Sequence, residues 1–222
     1  MRKLLIIMAL ALPIYAAEVF NSDFESGSPT PTIVTNFSID TGQACSPTQS
    51  YKLTTAAAGT LLRDSPISSI DGYTKIRIYL TAWPSTLQTA FVSLQNSGLA
   101  HLCQIQLDTD GTLNVAANGG TTDTSDSTVV TTGAWHVLQL EGDGSLSAGS
   151  DTCHGYLDSV EIGSGVTNGS WSSNTEHVQI SGGSLAVNTL YVDDWVIDDA
   201  TLPAVGSCGA SDNKYKSVVI NE

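Results

Sequence analysis

Four aspartates stand close together near the end of the chain, in the stretch TLYVDDWVIDDA from Thr189 to Ala200. The valines, isoleucine, tyrosine and tryptophan between them favour a pleated, half-buried strand. Ionised carboxylates are costly to bury in such a strand unless a partner offsets their loss of hydration. The stretch therefore predicts that something cationic, or water, meets these carboxylates.

The histidines and serines do not have the spacing of a nucleophilic catalytic site. The four histidines are scattered along the chain, at positions 101, 136, 154 and 177, and no serine stands in the context of a nucleophile elbow. Each histidine is therefore expected to have a structural role. The sequence also lacks the glycine-rich phosphate-binding loops of nucleotide-binding folds.

The chain begins with MRKLLIIMALALPIYAAE, a basic start followed by an apolar run and small residues. An apolar run of about a dozen residues is too short to cross a bilayer and has the dimensions of a secretory signal. We expect residues 1–16 to be a signal peptide, cleaved after Ala16 or Ala17, with an uncleaved membrane anchor as the alternative. The mature protein is then expected to be secreted, extracellular or periplasmic, without a membrane-inserted segment.

The chain is strongly acidic, with 22 acidic against 8 basic side chains and a formal net charge of −14. Loss of Arg2 and Lys3 with the signal leaves six basic side chains against the same 22 acidic ones, a charge of −16. Such a field repels phosphate backbones and anionic lipid surfaces and attracts cations. Nucleic acid is therefore not an expected partner.

Four cysteines form an even set in a chain expected to enter an oxidising space, which favours two disulfides. Four cysteines allow three pairings. We predict Cys45–Cys208, which would tie the two ends of the domain, and Cys103–Cys153, which would tie two middle strands. The alternative is a zinc site in which the segments HLC (101–103) and CH (153–154) converge, although no CxxC spacing supports it.

Short runs of β-branched and aromatic residues recur along the chain, separated by clusters of Gly, Asn, Asp, Ser and Thr. No stretch keeps an apolar period of 3.6 residues long enough to predict a helix. In YTKIRIYLTA, Ile76, Ile78 and Leu80 share one face, which needs a second sheet to bury it. These patterns predict an all-β fold, a two-sheet antiparallel β-sandwich of about 11–12 strands, with five successive strands forming a meander.

A mature chain of about 205 residues fits one sandwich as well as two small domains, so its length does not decide. The strand pattern does, and we assign residues 17–202 to this single domain. The polar run NGGTTDTSDSTVVTTG, residues 118–133, is predicted to be a long loop. The sequence loses its strand rhythm after Pro203, so residues 203–222 are predicted to form an irregular tail held at Cys208.

The order of several short motifs resembles a known family. The chain contains segments similar to those of the laminin-G-like members of the concanavalin A-like lectin/glucanase jelly rolls. In chain order they are FNSDFESGS near the mature start, DGTLNV followed by TTGAWHVLQLEG, then HGYLDSVEIGSG and LYVDDWVIDDA. The resemblance runs from about Val19 to Leu202. It implies a concanavalin A-like jelly roll, a fold found in both sugar-binding modules and glycosidases.

In related sugar-binding jelly rolls, an N-terminal segment like FESG and a C-terminal DD strand lie side by side and hold a structural calcium ion. Carried over, the resemblance implies Glu25 and Asp194 as side-chain ligands, with Asp23 or Asp193 assisting and backbone carbonyls completing the shell. Calcium takes roughly six to eight oxygen ligands in irregular geometry. Adjacent strand residues point to opposite faces, so only one of the two neighbouring aspartates is expected inward unless a bulge intervenes. The alternative is that all four aspartates are solvated charges on an edge strand.

The laminarinase-type glycosidases of this superfamily carry a Glu-x-Asp-x-x-Glu strand, and their retaining chemistry needs two carboxylates about 5 Å apart. The nearest match here is GYLDSVEI, where Asp158 and Glu161 keep the last two acids but Tyr156 occupies the place of the first. The nucleophile is missing, so the chain is predicted not to be an enzyme. Glycoside hydrolysis is a minor alternative.

Sugar binding needs exposed aromatic rings that stack on sugars, beside amides and carboxylates that bind hydroxyls. Trp171 lies among loop-forming residues and is the first candidate, Trp83 at a strand end is the second, and Asn174 is a polar neighbour. We therefore predict a secreted, non-catalytic carbohydrate-binding or adhesive module whose partner is a glycan or polysaccharide. The alternative is an architectural extracellular, envelope or virion-surface protein that works through protein–protein contacts or self-assembly.

Overall fold

The computed structural model describes most of the chain between Val19 and Pro203, together with Cys208. The described residues are 19–46, 48–55, 57, 59, 61–117, 122–123, 128–144, 151–168, 173–203 and 208, with 122–123 and 163–168 described by their backbone. The expected signal peptide, residues 1–16, and most of the expected tail therefore lie outside the described residues.

Across these ranges the chain forms fifteen β-strands and no helix, which confirms the all-β class. The strands are β1 (Phe20–Ser22), β2 (Ile33–Thr35), β3 (Phe37–Asp40), β4 (Ser50–Leu53), β5 (Leu61–Asp64), β6 (Gly72–Leu80), β7 (Gln88–Gln95), β8 (His101–Leu107), β9 (Leu113–Ala117), β10 (Thr122–Asp123), β11 (Trp135–Asp143), β12 (Asp151–Leu157), β13 (Val160–Asn168), β14 (His177–Ser181) and β15 (Leu190–Asp198). Nothing in the described part of the chain is a helix of the length and hydropathy needed to span a membrane.

The strands form two antiparallel sheets. Sheet A has eight strands in the order β13-β12-β11-β6-β15-β4-β3, with β1 also paired to β15, and sheet B has seven in the order β10-β9-β8-β7-β14-β5-β2. The predicted sandwich of two sheets is confirmed. The predicted single meander of five strands is wrong: β7, β8 and β9 stay in sheet B, and β11, β12 and β13 form a second meander in sheet A. Each meander has one apolar face, and the two faces are buried against each other.

The strand count exceeds the predicted 11–12 mainly because two predicted strands are each split. Asn36 adopts a left-handed conformation with φ of 61°, and at this residue the run TIVTNFSI passes from β2 in sheet B to β3 in sheet A. Asp158 and Ser159, with φ of 51° and 72°, form the two-residue turn of the hairpin β12–β13. The short strands β1 and β10 account for the remaining difference.

The core lies between the sheets and follows the alternation of the strands. Ile76, Ile78 and Leu80 of β6 are fully buried, as the pattern of YTKIRIYLTA predicts. Opposite them in sheet B, the inward side chains of β7 and β8 include Leu94 and Ile105, which are also fully buried.

Two disulfides connect parts of the chain that are distant in sequence, and both are the pairs expected from the sequence. Cys103 of β8 bonds to Cys153 of β12 through the core, so this bridge joins sheet B to sheet A. Cys45, in the loop after β3, bonds to Cys208 across a separation of 163 residues. The zinc alternative is excluded, because the sulfurs of Cys103 and Cys153 are bonded to each other.

The two sheets approach closely at Gly155 of β12. A Cβ atom at this position would lie 2.7 Å from Cγ2 of Val115 and 3.3 Å from Cγ1 of Ile105, both in sheet B. Neither branched side chain has free space to move into, because both are fully buried. The sheet spacing at this point therefore depends on a residue without a side chain.

We expect Gly155→Ala to lower the free energy of unfolding by about 1–3 kcal/mol, because the added methyl group overpacks the core. Urea unfolding measures this change. Val115→Ala is the control, since it removes the methyl group that the added Cβ atom would meet; the double variant should be more stable than the sum of the single changes predicts. Strict additivity of the two changes would contradict the close contact.

Candidate functional site

Three of the four aspartates lie on β15, in the middle of sheet A between β6 and β4, and Asp199 directly follows the strand. The register of β15 against β6 shifts between Asp193 and Val196, and Asp194 takes a left-handed conformation with φ of 44°. This irregularity is a β-bulge, which interrupts the alternation of side chains along the strand. The two neighbouring aspartates therefore meet different partners.

The carboxylate of Asp193 is fully buried and is bound by the loop that follows β3. Its Oδ2 accepts hydrogen bonds from the backbone N–H groups of Cys45 and Ser46, both at 2.8 Å, and its Oδ1 accepts one from the Ser46 hydroxyl at 2.8 Å. Burial raises the pKa of Asp193 to about 6, and the nearby Asp194 carboxylate adds to the rise, while the bonds from Ser46 and Cys45 oppose it. A carboxylate buried in this way is stabilised by a positive charge beside it.

The Ser46 hydroxyl stands in the middle of a group of oxygen atoms. It lies 2.8 Å from Oδ1 of Asp193 and 2.9 Å from the carbonyl oxygen of Asp23. The carbonyl oxygen of Gln49 lies at 3.1 Å and Oε1 of Glu25 at 3.4 Å. A hydroxyl has one proton and can donate it to one of these four acceptors at a time. We call these five oxygen-bearing groups the Ser46 oxygen cluster.

Glu25 and Asp23 contribute different oxygen atoms to this cluster. The Glu25 carboxylate accepts hydrogen bonds at 2.8 Å from the backbone N–H groups of Thr48 and Gln49, and another from the Thr48 hydroxyl. Partial burial raises the pKa of Glu25, but these hydrogen bonds outweigh it and the pKa is lowered. The Asp23 side chain instead binds the backbone N–H of Glu25 at 3.1 Å, so Asp23 offers the cluster its carbonyl oxygen.

Asp194 lies outside the Ser46 oxygen cluster. Its Oδ2 accepts a hydrogen bond at 2.6 Å from Nε of Arg77, a buried residue of β6. Burial raises the pKa of Asp194, and the Arg77 charge opposes that rise. The resemblance implied Asp194 as a main calcium ligand with Asp193 assisting. The bulge reverses these positions, because it turns Asp193 toward the cluster and leaves Asp194 with a guanidinium.

The second pair of aspartates lies at the C-terminal end of β15. Asp198 is buried, and its Oδ1 accepts hydrogen bonds from the backbone N–H groups of Ala200 and Thr201 at 2.8 and 3.1 Å, whereas Asp199 is exposed. The alternative of four solvated edge charges is therefore wrong. β15 is a central strand, and its three aspartates, Asp193, Asp194 and Asp198, all have partners within the fold.

The Ser46 oxygen cluster consists of hard oxygen atoms only. It combines the carboxylates of Glu25 and Asp193, the carbonyl oxygens of Asp23 and Gln49, and one hydroxyl, all hard oxygen donors. No three His, Cys, Asp or Glu side chains among the described residues gather as a metal site. The cluster itself contains two side-chain carboxylates, those of Glu25 and Asp193. Calcium accepts such a mixed and irregular set, whereas magnesium demands near-ideal octahedral geometry.

A second polar region, which was not predicted from the sequence, covers the outer face of sheet B. Its residues alternate with core residues on five neighbouring strands, and in register Gln179 faces Ser93, which in turn faces Gln104. We call this region the amide face; it comprises Arg63, Ser93, Gln95, His101, Gln104, Gln106, Asn114, His177 and Gln179. The signal was present in HLCQIQLD and HVQIS, where glutamine recurs at the outward positions of strands.

Gln95 lies at the centre of the amide face and is 2% exposed. Its Nε2 lies 3.2 Å from Nδ1 of His101 and 3.4 Å from Oε1 of Gln179. Its Oε1 is buried and, within the described chain, accepts no hydrogen bond. Rotating the amide by half a turn would exchange the two atoms and still leave one end without a partner. Buried polar atoms without partners are uncommon, and Gln95 Oε1 is one of four such side-chain atoms among the described residues.

The aromatic and amide candidates from the sequence do not meet in one place. Trp171 lies outside the described residues. Trp83 is 41% exposed and donates from its indole N–H to the carbonyl oxygen of Val130 at 2.9 Å. It borders an open pocket of about 440 Å³ that is also lined by Gly183–Ala186, beyond the end of β14. Asn174 is exposed and precedes the start of β14, so it lies at the opposite end of that strand.

The acids of GYLDSVEI belong to the hairpin β12–β13. Asp158 stands at the turn, with Oδ2 at 2.7 Å from Nδ1 of His136. Glu161 lies on β13, with Oε1 at 2.7 Å from Nδ1 of His154. Burial, with contributions from nearby carboxylates, raises the pKa of Tyr156 to about 12. Each of these acids thus has a histidine neighbour, and Tyr156 stays protonated at neutral pH.

No protein-family model matches the chain, and no curated protein matches it either. Among solved structures it is similar to domain 4 of AbnA, a GH43 extracellular arabinanase from Geobacillus stearothermophilus, in complex with arabinotriose. That match has a TM-score of 0.54 at 15% identity and covers 85% of this chain and 95% of the domain. The match to Trypanosoma rangeli sialidase in complex with the inhibitor DANA has a TM-score of 0.53 at 11% identity and covers 77% of this chain.

A third similar structure is the binding domain of botulinum neurotoxin DC in complex with SialylT, with a TM-score of 0.50, 10% identity and 84% of this chain covered. The chain spans 27% of the sialidase chain and 48% of the toxin domain. At such identities the similarity shows the fold alone. The structural neighbours of this β-sandwich nevertheless include carbohydrate-binding domains.

We expect Asp194→Asn to lower the free energy of unfolding by about 3 kcal/mol, because it removes the carboxylate charge that pairs with the buried guanidinium of Arg77. Urea unfolding measures the loss. Asp199→Asn is the matched control: it removes the same charge from an exposed position and should change stability by less than about 0.5 kcal/mol. Equal effects of the two variants would contradict the stabilising role of the Arg77 pair.

Proposed function

We propose that the chain is a secreted, non-catalytic carbohydrate-binding module of the concanavalin A-like jelly-roll type. The observation that carries this proposal is the amide face. Gln104 and Gln106 are half-buried there, so each presents an amide donor and an amide acceptor at the surface. Sugar hydroxyls both donate and accept hydrogen bonds, and amide side chains match them in both roles.

Several features support the other parts of this proposal. Two disulfides are consistent with an oxidising compartment, which agrees with the expected signal peptide. Tyr156 in the place of the first glycosidase glutamate supports a non-catalytic role. The arabinanase domain solved with arabinotriose aligns over 95% of its length, and it supports a binding module of this size.

We also propose that the Ser46 oxygen cluster binds a structural calcium ion. The ion would supply the positive charge that the buried Asp193 carboxylate and the Glu25 carboxylate lack in their described surroundings. Glu25 follows β1, Ser46 and Gln49 belong to the loop after β3, and Asp193 belongs to β15. An ion bound by these residues would therefore connect three separate segments of the chain: the residues after β1, the loop after β3 and strand β15.

Calcium at 100 times its dissociation constant should stabilise the folded protein by about 2.7 kcal/mol, because it binds the folded state alone. For a chain of this size that corresponds to a rise of roughly 5–10 °C in Tm. Thermal unfolding of metal-stripped protein, with calcium and with chelator, measures the rise. Asp193→Asn and Glu25→Gln should each reduce it strongly.

Asp194→Asn is the control for the calcium measurement. It removes a carboxylate next to Asp193 in sequence but outside the Ser46 oxygen cluster, so it should lower Tm and yet leave the calcium-dependent rise intact. A rise that is lost in Asp194→Asn and kept in Asp193→Asn would contradict the ligand set proposed here. A Tm that calcium does not change in the wild-type protein would exclude the site.

Binding to a broad glycan and polysaccharide array tests the carbohydrate-binding proposal. We expect saturable binding that Gln104→Ala weakens about tenfold, because the variant removes hydrogen bonds to sugar hydroxyls worth about 1.4 kcal/mol. Trp83→Ala is the control, since Trp83 lies at the pocket beyond the other end of β14 and outside the amide face, and it should leave binding unchanged.

The outcomes of this test are distinct. Binding that depends on Trp83 and not on Gln104 would place the sugar at the Trp83 pocket and contradict the amide face as the site. The absence of binding to every glycan would contradict the proposed function itself.

The architectural alternative is favoured by one observation at the sheet edges. β2 and β3 are edge strands of sheets B and A, and they expose Ile33, Val34 and Ile39. Exposed apolar residues on edge strands can pair with another chain. An array without any bound glycan would therefore shift the search to a protein partner at these two strands.

A further inference from the structure

The basic side chains of the described residues are distributed unevenly between the sheets. Three of them, Lys52, Lys75 and Arg77, belong to strands of sheet A. Lys52 pairs with an aspartate at 2.6 Å, and Arg77 pairs with Asp194 at 2.6 Å. The fourth, Arg63, lies on β5 in sheet B, at the amide face.

Arg63 makes no ion pair with any carboxylate of the described residues. Its guanidinium donates hydrogen bonds to Oε1 of Gln179, from Nη2 at 2.5 Å and from Nε at 3.2 Å. A guanidinium has five N–H donors, so this single amide oxygen uses only part of its capacity. Burial lowers the pKa of Arg63, and no described carboxylate opposes that effect.

The acidic residues nearest to Arg63 in the sequence do not form an ion pair with its guanidinium. Asp64, the next residue of β5, is buried on the inner side of the strand, where its Oδ1 accepts hydrogen bonds from the Thr32 hydroxyl at 2.6 Å and from the Ser65 N–H at 2.7 Å. Glu176 directly precedes β14 and forms no ion pair with Arg63 in the described structure. In a chain with 22 acidic and 8 basic side chains, an arginine without a carboxylate partner is unexpected from composition alone.

The groups that surround Arg63 are neutral. Gln95 and Gln179 are amides, and burial, with a contribution from the Arg63 charge, lowers the pKa of His101, so its imidazole is uncharged at neutral pH. Arg63 is thus a fixed positive charge beside these three neutral hydrogen-bonding groups. The half-buried position of Arg63 keeps its guanidinium within reach of a molecule at the surface.

We propose that the amide face binds a sugar that carries a carboxylate group, with Arg63 binding the carboxylate and the neighbouring amides binding the hydroxyls. This inference rests on the proposed carbohydrate-binding function and names the class of its ligand. The planar guanidinium forms two parallel hydrogen bonds with a carboxylate, which gives both strength and orientation.

The overall charge of the protein restricts this class further. A net charge of −14 repels densely charged polyanions at long range, whereas a local guanidinium attracts a single anionic group at short range. The expected ligand is therefore a glycan in which an acidic sugar is isolated among neutral ones, such as a chain end, and not a uniformly charged or highly sulfated polymer.

Pairs of oligosaccharides that differ in the carboxylate alone test this proposal. Sialyllactose against its carboxyl methyl ester, and an oligosaccharide that ends in a single glucuronate against its methyl ester, are suitable probes, measured by calorimetric titration of the full protein. We expect the acidic member of at least one pair to bind at least ten times more tightly than its neutral counterpart. Arg63→Gln should reduce that ratio to about one, and Arg63→Lys should leave an intermediate ratio, because lysine keeps the charge and loses the planar fork.

Lys52→Gln is the matched control, because it removes the same positive charge from a half-buried position on sheet A. It should leave the ratio of acidic to neutral binding unchanged, and thermal unfolding of each variant checks that the fold is retained. A ratio that falls equally in Lys52→Gln and Arg63→Gln would overturn the proposal, because net charge alone would then account for the preference.

The remaining outcomes separate this inference from the proposed function. Equal binding of acidic and neutral sugars by the wild-type protein, unaffected by Arg63→Gln, would overturn the acidic-sugar proposal and leave carbohydrate binding in place. The absence of binding to both members of every pair, together with a silent glycan array, would overturn both.

Discussion

The hydrogen bonds of the buried Asp193 carboxylate hold the loop after β3 at one end of the sandwich. This carboxylate accepts hydrogen bonds from Cys45 and Ser46, and these bonds connect the loop after β3 to the middle of sheet A. The same loop carries one half of a disulfide and the oxygen atoms that surround the Ser46 hydroxyl. The loop, its disulfide and the oxygen cluster thus all lie next to one carboxylate that has been removed from water. Such a group stabilises a structure only while every one of its partners is present.

Much of the fold follows from the alternation of apolar and polar residues. Ile76, Ile78 and Leu80 indicate a strand that needs a second sheet, and the structure supplies it. The assignment of strands to sheets did not follow, because it depends on turns such as the left-handed Asn36, whose conformation a short apolar pattern does not specify. Local periodicity therefore predicts strands more reliably than it predicts which strands are neighbours.

The oxygen cluster could be predicted in part. The family resemblance pointed to Glu25 and to the aspartate pair, and these residues do lie near one another. The choice between Asp193 and Asp194 depends on a bulge, which is a property of the backbone, and the carbonyl oxygens of Asp23 and Gln49 leave no trace in the residue types. The amide face had a visible signal in its alternating glutamines, but glutamine is also an ordinary surface residue. Only the register of five strands shows that these side chains share one face.

The position of β15 has a consequence for the order of folding. β15 is the last strand of the described chain, yet it lies in the middle of sheet A, where it pairs with β6 on one side and β4 on the other and also receives β1. Until this segment is available, β6 and β4 each have an unpaired backbone edge, and the Cys45–Cys208 bridge across 163 residues cannot close. Pairings of such long range form slowly. A growing or truncated chain that ends before β15 therefore carries two open edges in the centre of a sheet, and such a chain is prone to pair with its own copies.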